Sequence, residues 1–154
     1  MLNIIKQIHY PKNSWIRNIV PIVYILSLQF VTGIPNPAQL ERLNAFEIAV
    51  NLSAELYNYP FWLQDLSHFP LFFLLTWFSY WIISKNSKEF SRLCNIKVML
   101  FSISYAFLNE GIQAIIPDRF PSLGDLIMNL AGVLTAFFVY RLTHELRFFT
   151  ENRA

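Results

Sequence analysis

Glu110 lies in a stretch that otherwise reads Val-Met-Leu-Phe-Ser-Ile-Ser-Tyr-Ala-Phe-Leu from Val98 to Leu108, and nothing nearby in sequence neutralises it. Placed in a bilayer, a carboxylate costs on the order of 2.5–3.5 kcal/mol on insertion scales, so it needs a partner brought in by the fold. The run from Asn109 to Gly132 supplies candidates: Gln113, Arg119, Asp125 and Asn129 surround a corner punctuated by Pro117 and Pro121. A chain organised around this run has to bury several polar groups together.

Whether the stretch meets lipid is decided by composition. The chain is 55% hydrophobic and only 14% charged, with 15 Phe among its 154 residues. A soluble domain carries roughly 45–50% apolar and about 25% charged residues, so an integral membrane protein is expected. The single Cys94 excludes an internal disulfide and offers no metal-cluster spacing. A net charge of +2 is too small to point to nucleic acid.

The apolar runs predict an all-α, four-transmembrane-helix bundle forming one domain over 16–142, with spans at about 16–34, 66–83, 98–116 and 123–142. At 1.5 Å per residue the first run is about 28 Å long, close to the hydrocarbon thickness. No small-residue cleavage site follows it, so it reads as a retained span rather than a signal peptide. Pro21 falls near its predicted start, where a missing N–H is tolerated. Pro35 and Pro37 stop it. The following segment mixes Glu41, Arg42, Glu47 and Glu55 with apolar residues. It predicts an additional amphipathic helix over about 38–57 in the first extracytoplasmic loop. Residues 1–15 and 143–154 are expected as cytoplasmic tails.

Orientation follows from the cations. The N-terminal end has Lys6, Lys12 and Arg17; the middle loop has Lys85, Lys88, Arg92 and Lys97; the C-terminal end has Arg141, Arg147 and Arg153. These three, four and three make ten of the 12 Lys and Arg, against Arg42 and Arg119 on the other side. Both termini are therefore expected in the cytoplasm. With that topology Asp65 and His68, Glu110 and Gln113, and Asp125 and Asn129 approach one depth near the outer surface. Each set also shares a helix face: Ser102, Ala106, Glu110, Gln113; Asp125, Asn129, Gly132, Ala136; Asp65, His68, Phe72, Thr76, Ser79. A single outward polar pocket is expected, formed by Asp65, His68, Glu110, Gln113, Arg119, Asp125 and Asn129.

The ordered pattern Asp65-x-x-His68-Phe69, Glu110-x-x-Gln113, Pro117-x-Arg119 and Asp125-x-x-x-Asn129-x-x-Gly132 resembles the VanZ-like family of small membrane proteins. The resemblance implies a four-helix membrane domain in a bacterial inner membrane. It also implies a cell-envelope role, in which some members raise resistance to glycopeptide antibiotics such as teicoplanin. It supplies no established reaction.

Two functions are carried forward. In the first, the pocket binds a lipid head group, a wall precursor or a glycopeptide. An enzymatic version would use Glu110 or Asp125 as general acid or base, His68 as partner and Arg119 to hold an anionic group. In the second, the chain is an accessory or scaffold subunit of a larger membrane protein complex, respiratory or photosynthetic for example. There an aromatic lipid face (Phe72, Phe73, Trp77, Phe137, Phe138) would dock the partner and the polar cluster would be an internal clamp. No metal or cofactor is expected, since no HExxH, CxxC or Gly-rich phosphate loop occurs. Structural roles compete at several positions: Asp125 at a capping-box spacing from Ser122, Asn129 as an interhelical bridge, His68 at the interface, Arg119 snorkelling or paired with an acid.

Overall fold

The computed structural model describes residues 9, 11–84, 92–116 and 121–151, with side chains described as far as Glu145. The elements are α1 (Ser14–Thr32), α2 (Pro37–Arg42), α3 (Glu47–Tyr57), α4 (Phe61–Ile83), α5 (Arg92–Gln113) and α6 (Leu123–Glu151), and no strand occurs among the described residues. Arg119, most of the 117–121 corner, and Lys6, Lys85, Lys88 and Arg153 lie outside the described residues, and the side chain of Arg147 is likewise not described.

Three helices are long and apolar enough to cross a bilayer: α1, α4 and the Leu123–Glu145 part of α6. The expected third span, about 98–116, is helical as α5, but it does not meet that standard. The reason is chemical. Arg92, Asn95 and Lys97 enter at one end of α5, and Asn109, Glu110 and Gln113 occupy the other. The helix that supplies the most buried polar groups is thereby the least lipid-like.

Several boundaries differ from those predicted. Asn13 caps α1 by accepting from the Trp15 N–H at 2.9 Å, so α1 starts ahead of Ile16 and Pro21 falls inside it rather than in its first turn. α4 starts at Phe61, which puts Pro70 in its interior as well. Such prolines are tolerated in membrane helices because neighbouring groups satisfy the freed carbonyls. The helix expected over 38–57 is two helices. Asn36 caps α2 through the Gln39 N–H, and Asn44, at φ 52°, turns the chain between Arg42 and Glu47 in the left-handed region that Asn tolerates. α3 is then tied back by the Ser53 hydroxyl, which donates to the Pro35 carbonyl at 2.6 Å.

α4 and α6 form the central contact. Gly132 makes it possible, since a Cβ there would run into the Phe69 carbonyl oxygen and lie 3.0 Å from the Phe73 nitrogen. α1 is fixed against this pair and α5 by two tyrosines. Tyr24 donates to the Leu71 carbonyl at 2.7 Å, and Tyr105 to Gln29 Oε1 at 3.1 Å.

Two apolar layers fill the interior. Leu28, Phe72, Leu75, Ala106 and Val133 form the middle one. At the end where α1 begins and α6 finishes, Trp77, Tyr80, Cys94, Val98 and Tyr140 form the second. His9 joins them, with Nε2 2.8 Å from the Thr143 hydroxyl and its backbone carbonyl accepting from Tyr140 at 3.1 Å. Above the middle layer, at the opposite end of the bundle, apolar packing gives way to polar side chains.

Candidate functional site: a hydrogen-bonded polar cluster across four helices

Helical repeats carry the polar stripes into the bundle. Ser102, Ala106, Asn109, Glu110 and Gln113 are all buried on α5, as are Asp125, Asn129, Gly132 and Ala136 on α6. On α4 the buried face comprises His68, Phe72, Thr76 and Ser79, with Asp65 half-buried at its edge. Glu110 keeps only 7% of its surface exposed, a burial that in lipid demands hydrogen bonds or counter-charge.

The partners are amides. Asn129 Nδ2 donates to Glu110 Oε1 at 2.9 Å, and Asn109 Nδ2 lies 3.5 Å from the same oxygen. The Asn129 carbonyl oxygen faces His68 Nδ1 at 2.9 Å. On the other arm, the Thr32 hydroxyl contacts Asn109 Oδ1 at 2.6 Å and the Leu28 carbonyl at 2.9 Å. A continuous chain therefore runs Thr32–Asn109–Glu110–Asn129–His68, drawn from α1, α5, α6 and α4.

The direction of donation is fixed by chemistry. A carboxylate only accepts, so the Asn129 nitrogen faces Glu110 and its oxygen is left for His68. That oxygen only accepts, so the proton is on His68 Nδ1. The Thr32 arm has the same polarity, and both arms donate toward Glu110 Oε1. Hydrogen bonds aligned in one sense polarise one another, which strengthens the chain as a unit.

Asp125 closes the His68 end. Its Oδ1 lies 3.6 Å from His68 Nε2. The expected capping role at this turn belongs to Ser122, whose hydroxyl accepts from the Gly124 N–H at 3.0 Å and the Asp125 N–H at 3.4 Å. Asp65 reaches the same helix start, its carboxylate seated directly over Gly124, where any Cβ would collide with it. Carboxylates at a helix N-terminus meet the positive end of the macrodipole.

The structure thus brings together His68, Glu110, Asp125 and Asn129, buries Gln113 on the same face of α5, and leaves Asp65 at the rim. The predicted partner Arg119 lies outside the described residues. Thr32 and Asn109 are members that sequence reasoning missed. Asn109 carried a signal, being an amide beside the acid in an apolar helix. Thr32 carried less, since a threonine closing an apolar run is ordinary; only its spacing of four from the buried Leu28 marks its face.

A cavity of about 260 Å³ abuts this cluster between the end of α1, the end of α3 and the start of α4. Val31, Leu56, Leu63 and Leu71 give it an apolar wall, while His68 and Thr32, from opposite arms of the chain, also line it. His68 Nδ1 is held by Asn129 at 2.9 Å, while its Nε2 lies 3.6 Å from Asp125 Oδ1, near enough for charge attraction and too far for a hydrogen bond. The arrangement presents hydrogen-bonding groups at the edge of an apolar recess. Among the described residues no three His, Cys, Asp or Glu side chains are grouped to hold a metal ion.

An all-helical chain with three bilayer-length apolar helices and a polar cluster shared by four helices defines a small integral membrane protein. The VanZ/LLP1 family model matches residues 20–144, and the chain belongs to that family. A search of the curated proteins and of the solved structures found no match.

Proposed function

We propose that this VanZ-family protein binds the polar head of an envelope amphiphile, a membrane lipid or a lipid-linked wall precursor, in the cavity beside His68 and Thr32. The observation that carries the proposal is the cavity's position, where the buried polar chain meets an apolar recess near a bundle end. Size separates the expected ligands. Small-molecule sites run about 300–1,000 Å³, so 260 Å³ suits a head group or one sugar, while a whole glycopeptide would insert only an edge.

The cavity faces outward in this reading. Among the described residues Lys12, Arg17, Arg92, Lys97 and Arg141 cluster at the opposite end, with Arg42 on the cavity side, as cytoplasmic termini require. A protein of a bacterial inner membrane that engages wall precursors at the outer leaflet would act where glycopeptides act, which accords with the teicoplanin-resistance role implied by the resemblance. Glu110→Gln should abolish a teicoplanin phenotype with membrane abundance unchanged, because it alters the group on which both hydrogen-bond arms converge. Ser67→Trp, which fills the cavity from its rim, should do the same. Full resistance in both variants would make the cluster a structural clamp.

A further inference from the structure

We propose that the ligand of this cavity carries a primary ammonium group on an apolar body; this rests on the cavity being the binding site.

The inference comes from the donors already used. Thr32 has one hydroxyl proton, and it is held between Asn109 Oδ1 and the Leu28 carbonyl. The Ser67 hydroxyl donates to the Gln64 carbonyl at 2.6 Å. The Gln64 amide nitrogen donates one of its two protons to the Tyr59 carbonyl at 2.7 Å, and its oxygen remains an acceptor. Each of these residues lines the cavity. The protons named are committed within the protein, and the oxygens keep lone pairs for a visitor. A hydroxyl oxygen with its proton committed still accepts, so the recess offers several acceptors in an apolar wall.

Charge agrees with this inventory. No Lys or Arg occurs among the described residues that line the cavity, whereas the cluster behind it sets the carboxyl groups of Glu110 and Asp125 against the single imidazole of His68. Among the described lining residues a phosphate or carboxylate head would meet these acceptors and no cation. An ammonium supplies three N–H donors and a positive charge. Its carbon chain is matched by the leucines of the wall. The faces of Tyr57 and Tyr59, also in the lining, would attract any ammonium, so the set of acceptors is distinguished from an aromatic cage by whether N–H bonds are needed.

Octylammonium, octyltrimethylammonium and octyl phosphate share a tail and differ only in the head. Binding of each to the full chain in a neutral detergent, followed by calorimetry, should favour octylammonium by about tenfold or more over both others. Ser67→Ala should reduce octylammonium binding severalfold, and Gln64→Glu, which adds a carboxylate at the rim, should increase it severalfold. Both positions lie in the outer turns of α4, so a folded protein is expected for each, checked by its circular dichroism. Equal affinity for the two ammonium compounds would overturn the proposal in favour of an aromatic cage. Tighter binding of octyl phosphate, lost in Ser67→Trp, would overturn the ammonium assignment while leaving the cavity as a binding site. Saturable binding of none of the three would remove both.

Discussion

The two ends of the bundle are both buried and both carry polar atoms, yet they are held by different physics. At the end where α1 starts, Tyr80 and Tyr140 stack with centroids 3.8 Å apart and planes 5° from parallel; Trp77 meets Tyr140 edge-on, and His9 lies edge-on to Trp77 and tilted against Tyr140. The polar atoms there hang on the edges of large rings, and the ring area supplies most of the stabilisation. At the other end, Glu110, Asn109, Asn129 and His68 contribute little apolar surface. Their cohesion is directional, through the hydrogen bonds that run from Thr32 to His68. Shape therefore holds the aromatic end of the bundle together, and hydrogen-bonding capacity the polar end. A substitution that keeps shape and deletes polarity separates the two.

The largest effect is expected for Asn129→Leu, which keeps volume and deletes both the donor to Glu110 and the acceptor for His68. Leaving two buried polar groups without their partner costs about 2–5 kcal/mol. Titration with a denaturing detergent, followed by circular dichroism, should show the loss. A variant as stable as the wild type would mean that the chain of hydrogen bonds adds nothing to folding. Next comes Gly132→Ala, which tests the α4–α6 contact between the two ends. The added methyl meets the Phe69 carbonyl oxygen, so the helices must part, at about 1–3 kcal/mol. Because the shift would pass to His68 and Asn129 on the same two helices, binding at the cavity should weaken along with stability. The smallest effect is expected for Tyr140→Phe. It removes the hydroxyl that donates to the His9 carbonyl but retains the stack, and should cost about 1 kcal/mol or less in the same titration. Were Tyr140→Phe to cost more than Asn129→Leu, the assignment of the two ends would be reversed.

How much of this was legible in the sequence also divides along the same line. An acid in an apolar helix is expensive, so Glu110 announced a site, and period-3.6 spacing carried Asn129, Asp125 and His68 to the same place. Those signals are local, arising within single helices. Thr32 was not legible because its role depends on which helix α1 meets, and a threonine pays little penalty in lipid by bonding its own i−4 carbonyl, as it does with Leu28. The aromatic stack was equally hidden. Only the parallel pairing of α4 and α6, which also seats Asn129 beside His68, superposes Tyr80 and Tyr140. The division of the 38–57 segment at Asn44 followed from one residue's backbone conformation, which the amphipathic pattern does not encode.

The central claim is that one chain of oriented hydrogen bonds joins four helices, with Asn129 accepting from His68 and donating to Glu110. Nitrogen-15 NMR of histidine-labelled protein in lipid bilayers reads this directly, with the His68 signals identified by their loss in His68→Gln. The account predicts a protonated, hydrogen-bonded Nδ1 on His68 that shifts when Asn129 is replaced by Leu. A bare Nδ1, or a protonated one indifferent to that replacement, would contradict it.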